Sequence, residues 1–325
     1  MKTATYHSAT VRGRAHRRNE DDLLARDLPG GWIAMGVFDG ISSLGHGEAA
    51  SSAARSAFEA GLEARWDPLG DKRSLLLDLL LMAQEAVVET RPAGTTATVC
   101  LLHPVSGELH TVHIGDSPLY RLHGGELYPL TMDDSYRDSF SGRYYLSKYL
   151  GQEGTPDLSS VYSKGTLQDG DRLLLCTDGL SGPLSGQAER FRHLAGDFPV
   201  YESVGQLAGY ASEHGHDDVT LVLAEVHPDA GPVDTWPETD PGPATSTPAP
   251  TSGDSGRRAA IRRLLIGAMA AGILLGAAAI VLCMRTRAPA SGDGNTPQAA
   301  DNTAMTVTVH NTSTTNIVVS HENEF

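Results

Sequence analysis

Three aspartates in this sequence follow apolar runs and stand next to a glycine: Asp39, Asp116 and Asp178. A short carboxylate at the end of a rigid strand is held in place, which suits a site that needs precise geometry. Several such groups raise one another's pKa unless a cation neutralises them, and Mg²⁺ and Mn²⁺ prefer oxygen ligands. The pattern therefore favours a two-metal carboxylate site. On spacing alone, aspartates that each cap a separate turn explain it equally well.

Short apolar runs bounded by turn residues supply the strands that would carry these aspartates. They predict strands at Trp32–Phe38, Thr95–His103, Glu108–Ile114, Leu119–Leu122, Arg172–Cys176 and Thr220–Val226. Apolar residues at spacings of three and four predict helices at Gly47–Trp66 and Ser74–Glu89. Because the two helices are adjacent in the chain and most strands follow them, the order predicts an α+β layered fold with largely antiparallel sheets.

The composition narrows the classes of function. The 325 residues include 40 Asp and Glu against 25 Lys and Arg, for a net charge of −15. Proteins that bind nucleic acid through its phosphates need a basic surface, so we expect no nucleic-acid partner. The three cysteines are Cys100, Cys176 and Cys283, and their spacing matches neither a zinc site nor a disulfide framework. The opening residues contain no apolar segment, so we expect no secretory signal.

The last third of the chain differs from the rest. We expect a domain at 1–228, a Pro/Thr/Ser/Gly-rich disordered linker at 229–260, a transmembrane helix at 261–285 and a polar tail at 286–325. The uncharged run Leu264–Cys283 is long enough to span a hydrocarbon core of roughly 30 Å. Four arginines precede this run and two follow it, which favours a single-pass protein of the cell membrane with a cytoplasmic N-terminal domain and an outward C-terminus.

Seven motifs along residues 1–228 resemble, in order, those of the metal-dependent Ser/Thr protein phosphatases of type 2C, in a bacterial form with a C-terminal transmembrane anchor. They are "GRAHRRNEDD" (13–22), "VFDGISSLGHGEAAS" (37–51), "GTTATVCLL" (94–102), "VHIGDSPLYRL" (112–122), "LTMDDS" (130–135), "RLLLCTDGL" (172–180) and "DDVTLVLAEV" (217–226). The resemblance implies a four-layer α-β-β-α sandwich with two central antiparallel sheets. It also implies two Mn²⁺ or Mg²⁺ ions at one end of the sandwich, with a third ion in bacterial members.

The resemblance also assigns roles to residues. The implied metal ligands are Glu20, Asp21, Asp39, the Gly40 carbonyl, Asp116, Asp178 and Asp217. Asp39 would bridge both ions, Asp178 and Asp217 would bind one of them, and these three are the implied catalytic residues. Residues 20–21 would bind the other ion or hold its waters, and Asp116 would bind the third.

The implied activity is that of a membrane-anchored protein Ser/Thr phosphatase acting on phosphorylated proteins, such as targets of bacterial Ser/Thr kinases. In such a mechanism the two ions activate a shared water and clamp the phosphoryl oxygens, so no protein nucleophile is needed. Cys100 and Cys176 lie within strand-like runs, and we expect them to be core thiols and not catalytic groups.

Three departures from the family pattern concern the substrate side of the site. Where the family has a phosphate-binding Arg three residues before Asn19, this chain has His16, with Arg14 and Arg17 nearby as candidate phosphate-binding groups. The family's glycines and histidine after Asp-Gly are replaced by residues 41–44, "ISSL". The flap segment between "LTMDDS" and "YYLSKYLG" is short. An imidazole cannot bind a phosphate bidentately as a guanidinium does.

Two alternatives to an active phosphatase remain open, one suggested by these departures and one by the polar tail. The first is a catalytically weak phosphatase-like module with a binding or regulatory role. The second is a tethered sensor whose polar tail at 288–325 binds a ligand. Turnover by the isolated domain separates the first alternative from an enzyme, and deletion of the tail tests the second.

Overall fold

The computed structural model describes residues 3–140, 142–154 and 156–227. Its strands are β1 Thr3–Val11, β2 Asp21–Leu28, β3 Trp32–Asp39, β4 Ala97–His103, β5 Glu108–Ile114, β6 Leu119–His123, β7 Glu126–Pro129, β8 Ser135–Arg137, β9 Tyr144–Leu146, β10 Tyr162–Thr166, β11 Arg172–Cys176 and β12 Val219–His227. Its helices are α1 Gly47–Arg65, α2 Lys72–Val88, α3 Asp178–Leu184, α4 Ala188–Gly196 and α5 Val200–His214. The linker, transmembrane helix, tail and Cys283 predicted from the sequence lie outside the described residues.

Ten of the strands form two five-stranded antiparallel sheets. The first sheet has the order β1-β12-β11-β6-β7 and the second has the order β10-β5-β4-β3-β2. Strands β8 and β9 pair separately in a short hairpin within the flap segment. In the second sheet Asp21 lies opposite Asp39, because the start of β2 pairs with the end of β3.

Three apolar clusters divide the domain into four layers. One lies between the sheets and includes Tyr6, Met35 and Leu175. A second packs α1 and α2 on the second sheet, and a third packs α3, α4 and α5 on the first sheet. This arrangement confirms the predicted α+β fold and the four-layer α-β-β-α sandwich with two central antiparallel sheets.

Helix α1 fixes the end of β3 on the second sheet. Its buried residues include Ala50, Ala54, Phe58 and Leu62, which recur every four positions and so lie on one face. The Phe58 ring lies 5.7 Å from that of Phe38, the residue before Asp39. Burying an aromatic side chain stabilises a fold by about 1.5–3 kcal/mol, so this contact holds the end of the strand against the helix.

Several predicted elements have the bounds expected from the sequence, and others were not predicted. The apolar runs Glu108–Ile114 and Arg172–Cys176 are strands with unchanged bounds. Helix α3 was missed because its sequence "DGLSGPL" contains two glycines and Pro183, which are weak helix formers. Helix α5 contains two glycines as well, and its buried face packs on the first sheet. Strand β1 is rich in small residues, yet it pairs with β12 along its full length.

Both described cysteines are buried free thiols in the strands, as predicted. Burial raises the pKa of Cys100 and of Cys176, which disfavours the reactive thiolate. Among residues 3–227 that the structure describes, no helix has both the length and the apolar character needed to cross a bilayer.

Candidate metal centre

The two sheets bring their acidic strand ends together at one end of the sandwich. Asp39 ends β3, Asp21 begins β2, and Asp178 follows β11 by one residue. Asp116 follows β5, and Asp217 precedes β12. The aspartates predicted from five separate motifs therefore lie in one cluster, and their mutual effects on pKa show that they interact across the two sheets.

The backbone of Asp39 is anchored by the start of β4. Its N–H donates to Thr96 Oγ1 at 3.0 Å, and its carbonyl accepts from the N–H of Thr96 at 2.9 Å. Thr95 Oγ1 donates to the same carbonyl at 2.8 Å. Thr96 Oγ1 also lies 2.7 Å from Ser117 Oγ, next to Asp116. The carboxylate of Asp39 therefore projects from a backbone that is fixed on both sides.

The carboxyl groups of the cluster have raised pKa values. Burial, followed by the charges of Asp21, Asp178, Asp217 and Asp116, raises the pKa of Asp39 well above its ordinary value. Burial and the charge of Asp217 raise the pKa of Asp178 to about 6, although a hydrogen bond with Asp39 lowers it. Burial and the charge of Asp178 raise the pKa of Asp116 to about 7. This is the pattern expected of carboxylates that share a site without a cation.

Asp21 is held by two threonines, Thr177 directly after β11 and Thr220 on β12. Thr177 Oγ1 donates to Asp21 Oδ2 at 2.9 Å. Burial raises the pKa of Asp21 well above its ordinary value, the hydrogen bonds from Thr220 and Thr177 lower it, and the charges of Asp218 and Asp178 raise it. Asp21 thus lies opposite Asp39 in the second sheet and accepts a hydrogen bond from Thr177, which follows a strand of the first sheet.

Gly40 and Gly47 allow the backbone to approach Glu20 closely. A Cβ atom on Gly40 would lie 2.4 Å from the Gly47 carbonyl oxygen and 2.5 Å from that of Glu20. The N–H of Gly40 donates to the Glu20 carbonyl at 3.1 Å. The Glu20 carboxylate accepts a hydrogen bond from Ser42 Oγ at 2.5 Å. Only glycine fits position 40 without displacing the start of α1 or the segment that carries Glu20.

The donor set matches the requirements of Mg²⁺ or Mn²⁺. Within residues 3–227 as described, no Lys or Arg forms an ion pair with Asp21, Asp39, Asp116 or Asp178. Buried carboxylates ordinarily pair with cations or coordinate metals. Clustered carboxylates and backbone carbonyls are the oxygen ligands that these hard ions prefer. The residues present therefore fit a divalent metal centre.

The structure brings two of the three candidate phosphate-binding residues, His16 and Arg17, to one cavity. His16 Nδ1 lies 2.8 Å from Asp218 Oδ2, and its Nε2 lies 3.2 Å from Ser42 Oγ. Arg17 is exposed and lines a cavity of about 770 Å³ together with His16 and Ser42. Arg14 is exposed and is not among the residues that line this cavity. Of the two predicted arginines, Arg17 is thus the one that shares a cavity with Glu20.

Asp218 was not predicted from the sequence as a site residue. Its side chain is 1% exposed and accepts hydrogen bonds from Gly13 N at 2.6 Å and from Glu20 N at 2.7 Å. The neighbouring Asp217 side chain is 53% exposed and lies 3.5 Å from His16 Nδ1. The available signal was the adjacent pair of aspartates directly before a strand. Asp217 faces the cluster and Asp218 faces the segment 13–20.

Known proteins of one family are similar to this chain over the domain that carries these motifs. The family model described as Protein phosphatase 2C matches residues 12–212. The serine/threonine protein phosphatase PstP of Mycobacterium tuberculosis is 32% identical over 244 residues, which are 68% of this chain and 45% of PstP. The chain thus spans less than half the length of this curated relative.

Solved structures show the same domain. The catalytic domain of PstP in complex with two manganese ions aligns with a TM-score of 0.58 and 28% identity, over 70% of this chain and all of that one. The phosphatase MsPP of Mycobacterium smegmatis in complex with cacodylate aligns with a TM-score of 0.56 and 26% identity, over 68% of this chain and 97% of that one. The family match covers most of the described domain, and the fold and motifs agree with it. This chain belongs to the protein phosphatase 2C family.

Proposed function

We propose that this chain is a metal-dependent protein Ser/Thr phosphatase that uses two Mn²⁺ or Mg²⁺ ions, with a third, weaker site. The observation that carries the proposal is the cluster of Asp39, Asp116, Asp178 and Asp217, in which burial, followed by mutual repulsion, raises the pKa of the first three. Such a cluster is costly to a fold unless a cation balances it. The manganese-bound relative, PstP, supports the identity of that cation.

One group of residues would bind the metal ions, and a separate group would bind the substrate. Asp39, at the end of β3, would hold the metal ions together with Asp178, Asp217 and Glu20. The Gly40 carbonyl would complete the set, and Asp21 would hold outer-sphere water. The ions would supply Lewis acidity, which lowers the pKa of water and offsets the charge of the phosphoryl group.

Arg17 is the proposed anchor for the substrate phosphate. It lines the 770 Å³ cavity beside Glu20, and its guanidinium has no partner among the described residues. A guanidinium binds two phosphate oxygens at once and keeps its charge at every working pH. His16 is held by Asp218 and Ser42, so it would position this segment and add a single hydrogen bond.

A catalytically weak binding or regulatory module is the second candidate function. The observation that favours it is the hydrogen bond between His16 and Asp218. An imidazole that is already hydrogen-bonded stands where the family has a guanidinium that binds phosphate. The two candidates predict equal metal binding but different turnover. Rates therefore have to be measured together with metal occupancy.

Hydrolysis of a phosphothreonine peptide by the full chain with Mn²⁺ tests the proposed activity. We expect turnover that EDTA abolishes. The rate should fall by more than about a hundredfold in Asp39→Asn, because loss of a residue that only supports a metal ligand already lowers metal affinity or activity 10- to 100-fold. Asp78→Asn is the matched control and should retain the parent rate, because Asp78 is an exposed aspartate on α2 that pairs with Arg65 at the end of α1. Turnover in EDTA, or an Asp39→Asn rate equal to the parent, would contradict the mechanism.

We further propose that the segment Leu264–Cys283 anchors the protein in the cell membrane, with the phosphatase domain in the cytoplasm and the C-terminus outside. The support is the uncharged 20-residue run and its flanking arginines. Expression of the full chain should give protein that remains in the membrane pellet after alkaline carbonate, and deletion of 264–283 should release it. Recovery of the full chain in the soluble fraction would contradict the anchor.

A further inference from the structure

A second cavity opens from the acidic cluster and shares no lining residue with the cavity that Arg17 lines. Its volume is about 1090 Å³, and Asp116 and Asp178 line its inner end. Its walls are the turn between β6 and β7, the flap hairpin β8–β9, and the helices α3 and α4. We call this space, from Asp116 and Asp178 outward to Glu126 and Glu189, the flap-side cleft.

The flap-side cleft is larger than a phosphorylated side chain requires. Pockets that bury drug-sized molecules have volumes of about 300–1,000 Å³. A phosphoserine or phosphothreonine bound at the metal centre is part of a polypeptide, and an extended polypeptide advances about 3.3–3.6 Å per residue. Residues next to the phosphorylated one would therefore enter this cleft.

The flap-side cleft carries negative charge in addition to that of Asp116 and Asp178. Glu126 on β7, Asp133 before the flap hairpin and Glu189 on α4 line its walls. None of the three carboxylates pairs with a cationic side chain within the described residues. The lining includes one basic residue, Arg192, whose Nη1 lies 3.7 Å from Asp197 Oδ1. Bound metal would offset the negative charge of Asp116 and Asp178, but the charges of the three outer carboxylates would remain uncompensated.

Aromatic side chains border the same cleft. Tyr144 on β9 lines it, and its side chain is 71% exposed. Tyr120 lies on the cleft floor, with its ring 5.1 Å from that of Phe191 in an edge-to-face arrangement. Aromatic faces attract the ammonium of Lys and the guanidinium of Arg. The cleft thus combines uncompensated carboxylates with a solvent-exposed aromatic ring, both of which favour cationic side chains.

We propose that the flap-side cleft binds the polypeptide flanking the phosphorylated residue and selects substrates with Lys or Arg there. The inference rests on the proposed phosphatase function and adds its substrate class: phosphoproteins whose modified residue lies in a basic segment. Glu126 and Glu189 determine this specificity at the outer end of the cleft. The metal centre and Arg17 bind the phosphate group, and the flap-side cleft binds the residues on either side of the phosphorylated one.

Three phosphothreonine peptides of equal length, flanked on both sides by Lys, Ala or Glu, test the proposal on the full chain with Mn²⁺. We expect kcat/KM to fall in the order Lys, Ala, Glu, with roughly three- to tenfold between Lys and Ala, the size expected of a few solvent-exposed ion pairs. The difference should lie in KM and should shrink at about 1 M salt, where the Debye length is roughly 3 Å.

The double variant Glu126→Gln/Glu189→Gln should bring the ratio between Lys and Ala peptides close to one. The matched control is Glu85→Gln/Glu213→Gln, two exposed helical glutamates that line neither cavity, and it should keep the parent ratio. A parent ratio of one, a preference for the Glu peptide, or a ratio that the cleft variant leaves unchanged would overturn the proposal.

Fluorescence anisotropy with the same labelled peptides separates this proposal from the proposed activity. If no peptide is hydrolysed yet the Lys peptide binds more tightly and the cleft variant abolishes the difference, the activity is contradicted and the cleft assignment holds. If all peptides are hydrolysed and bound with equal affinity, the activity holds and the cleft assignment fails.

Discussion

His16 and Asp218 form a hydrogen-bonded pair beside the candidate metal centre, with Nδ1 of the imidazole 2.8 Å from Oδ2 of the carboxylate. Asp218 is nearly fully buried and also accepts hydrogen bonds from the backbone of Gly13 and Glu20. Partial burial lowers the pKa of His16, but the hydrogen bond and charge of Asp218, with the charges of Asp217 and Glu20, outweigh it and leave that pKa raised. One buried carboxylate therefore fixes the segment that carries both His16 and Glu20.

Replacement of Asp218 by alanine should destabilise the domain by about 2–4 kcal/mol, because an unsatisfied buried donor costs about 1–3 kcal/mol and two backbone N–H groups would lose their acceptor. Urea denaturation gives the free energy of unfolding. Asp78→Ala, which removes an exposed ion pair, should change it by less than about 1 kcal/mol. Equal effects of the two substitutions would show that Asp218 does not hold the segment.

Replacement of Gly40 by alanine should impair both folding and metal binding, because the new methyl group would overlap the backbone oxygens of Gly47 and Glu20. We expect a loss of about 1–3 kcal/mol in stability, the usual cost of overpacking, and weaker Mn²⁺ binding by calorimetry. Gly205→Ala is the control, since a Cβ there meets open space within α5 and alanine favours helix. A Gly40→Ala protein with parent stability and affinity would contradict the packing argument.

Replacement of Arg17 by alanine should raise KM for a phosphopeptide about tenfold or more, since a charge-assisted hydrogen bond contributes about 1.5–3 kcal/mol. The value of kcat should change less, because the metal ligands remain. Arg14→Ala should have a smaller effect, as Arg14 does not line the cavity. If Arg14→Ala raised KM more than Arg17→Ala, the assignment of the phosphate anchor would be wrong.

The stabilising effect of Mn²⁺ should increase with pH. The pKa of Asp178 is raised to about 6 and that of Asp116 to about 7 from an ordinary value of 3.8, so the metal-free folded state binds these protons more tightly than the unfolded chain does. Folding stability without metal therefore falls as pH rises from about 4 through 7. Mn²⁺ binds the deprotonated carboxylates and should reverse that loss.

The difference in Tm between samples with Mn²⁺ and with EDTA measures this effect at several values between about pH 5 and pH 8. We expect the difference to be smallest at the acid end and largest at the alkaline end. A difference that does not vary with pH would show that these carboxylates are not deprotonated by metal binding.

The acidic cluster was predictable because each of its aspartates lies in a short, recognisable sequence motif. Asp39, Asp116 and Asp178 each follow an apolar strand, and a strand end needs no long-range information to be recognised. The meeting of these aspartates was not predictable from those motifs alone, because Asp39 ends a strand of the second sheet, Asp178 follows a strand of the first sheet, and the two lie far apart in the chain. The resemblance to a known family supplied that step.

Other features depend on tertiary packing that local patterns do not reveal. The sequence "DGLSGPL" of α3 lacks helix propensity, and it folds as a helix because Leu180 and Leu184 are buried against the first sheet. Asp217 and Asp218 are adjacent and chemically identical, yet one is half exposed and the other is buried. The charge of Asp217 acts on Asp39 in the acidic cluster, whereas Asp218 accepts hydrogen bonds from the backbone of Gly13 and Glu20.

The most direct test of the two-metal assignment is the number of Mn²⁺ ions bound per chain, measured by calorimetry on the same full-chain samples whose phosphatase rate is determined. We predict at least two bound ions and Mn²⁺-dependent hydrolysis in the parent, with both occupancy and rate reduced in Asp39→Asn. Hydrolysis without bound metal, or parent occupancy and rate in Asp39→Asn, would contradict the assignment of Asp39 and its neighbours as the metal centre.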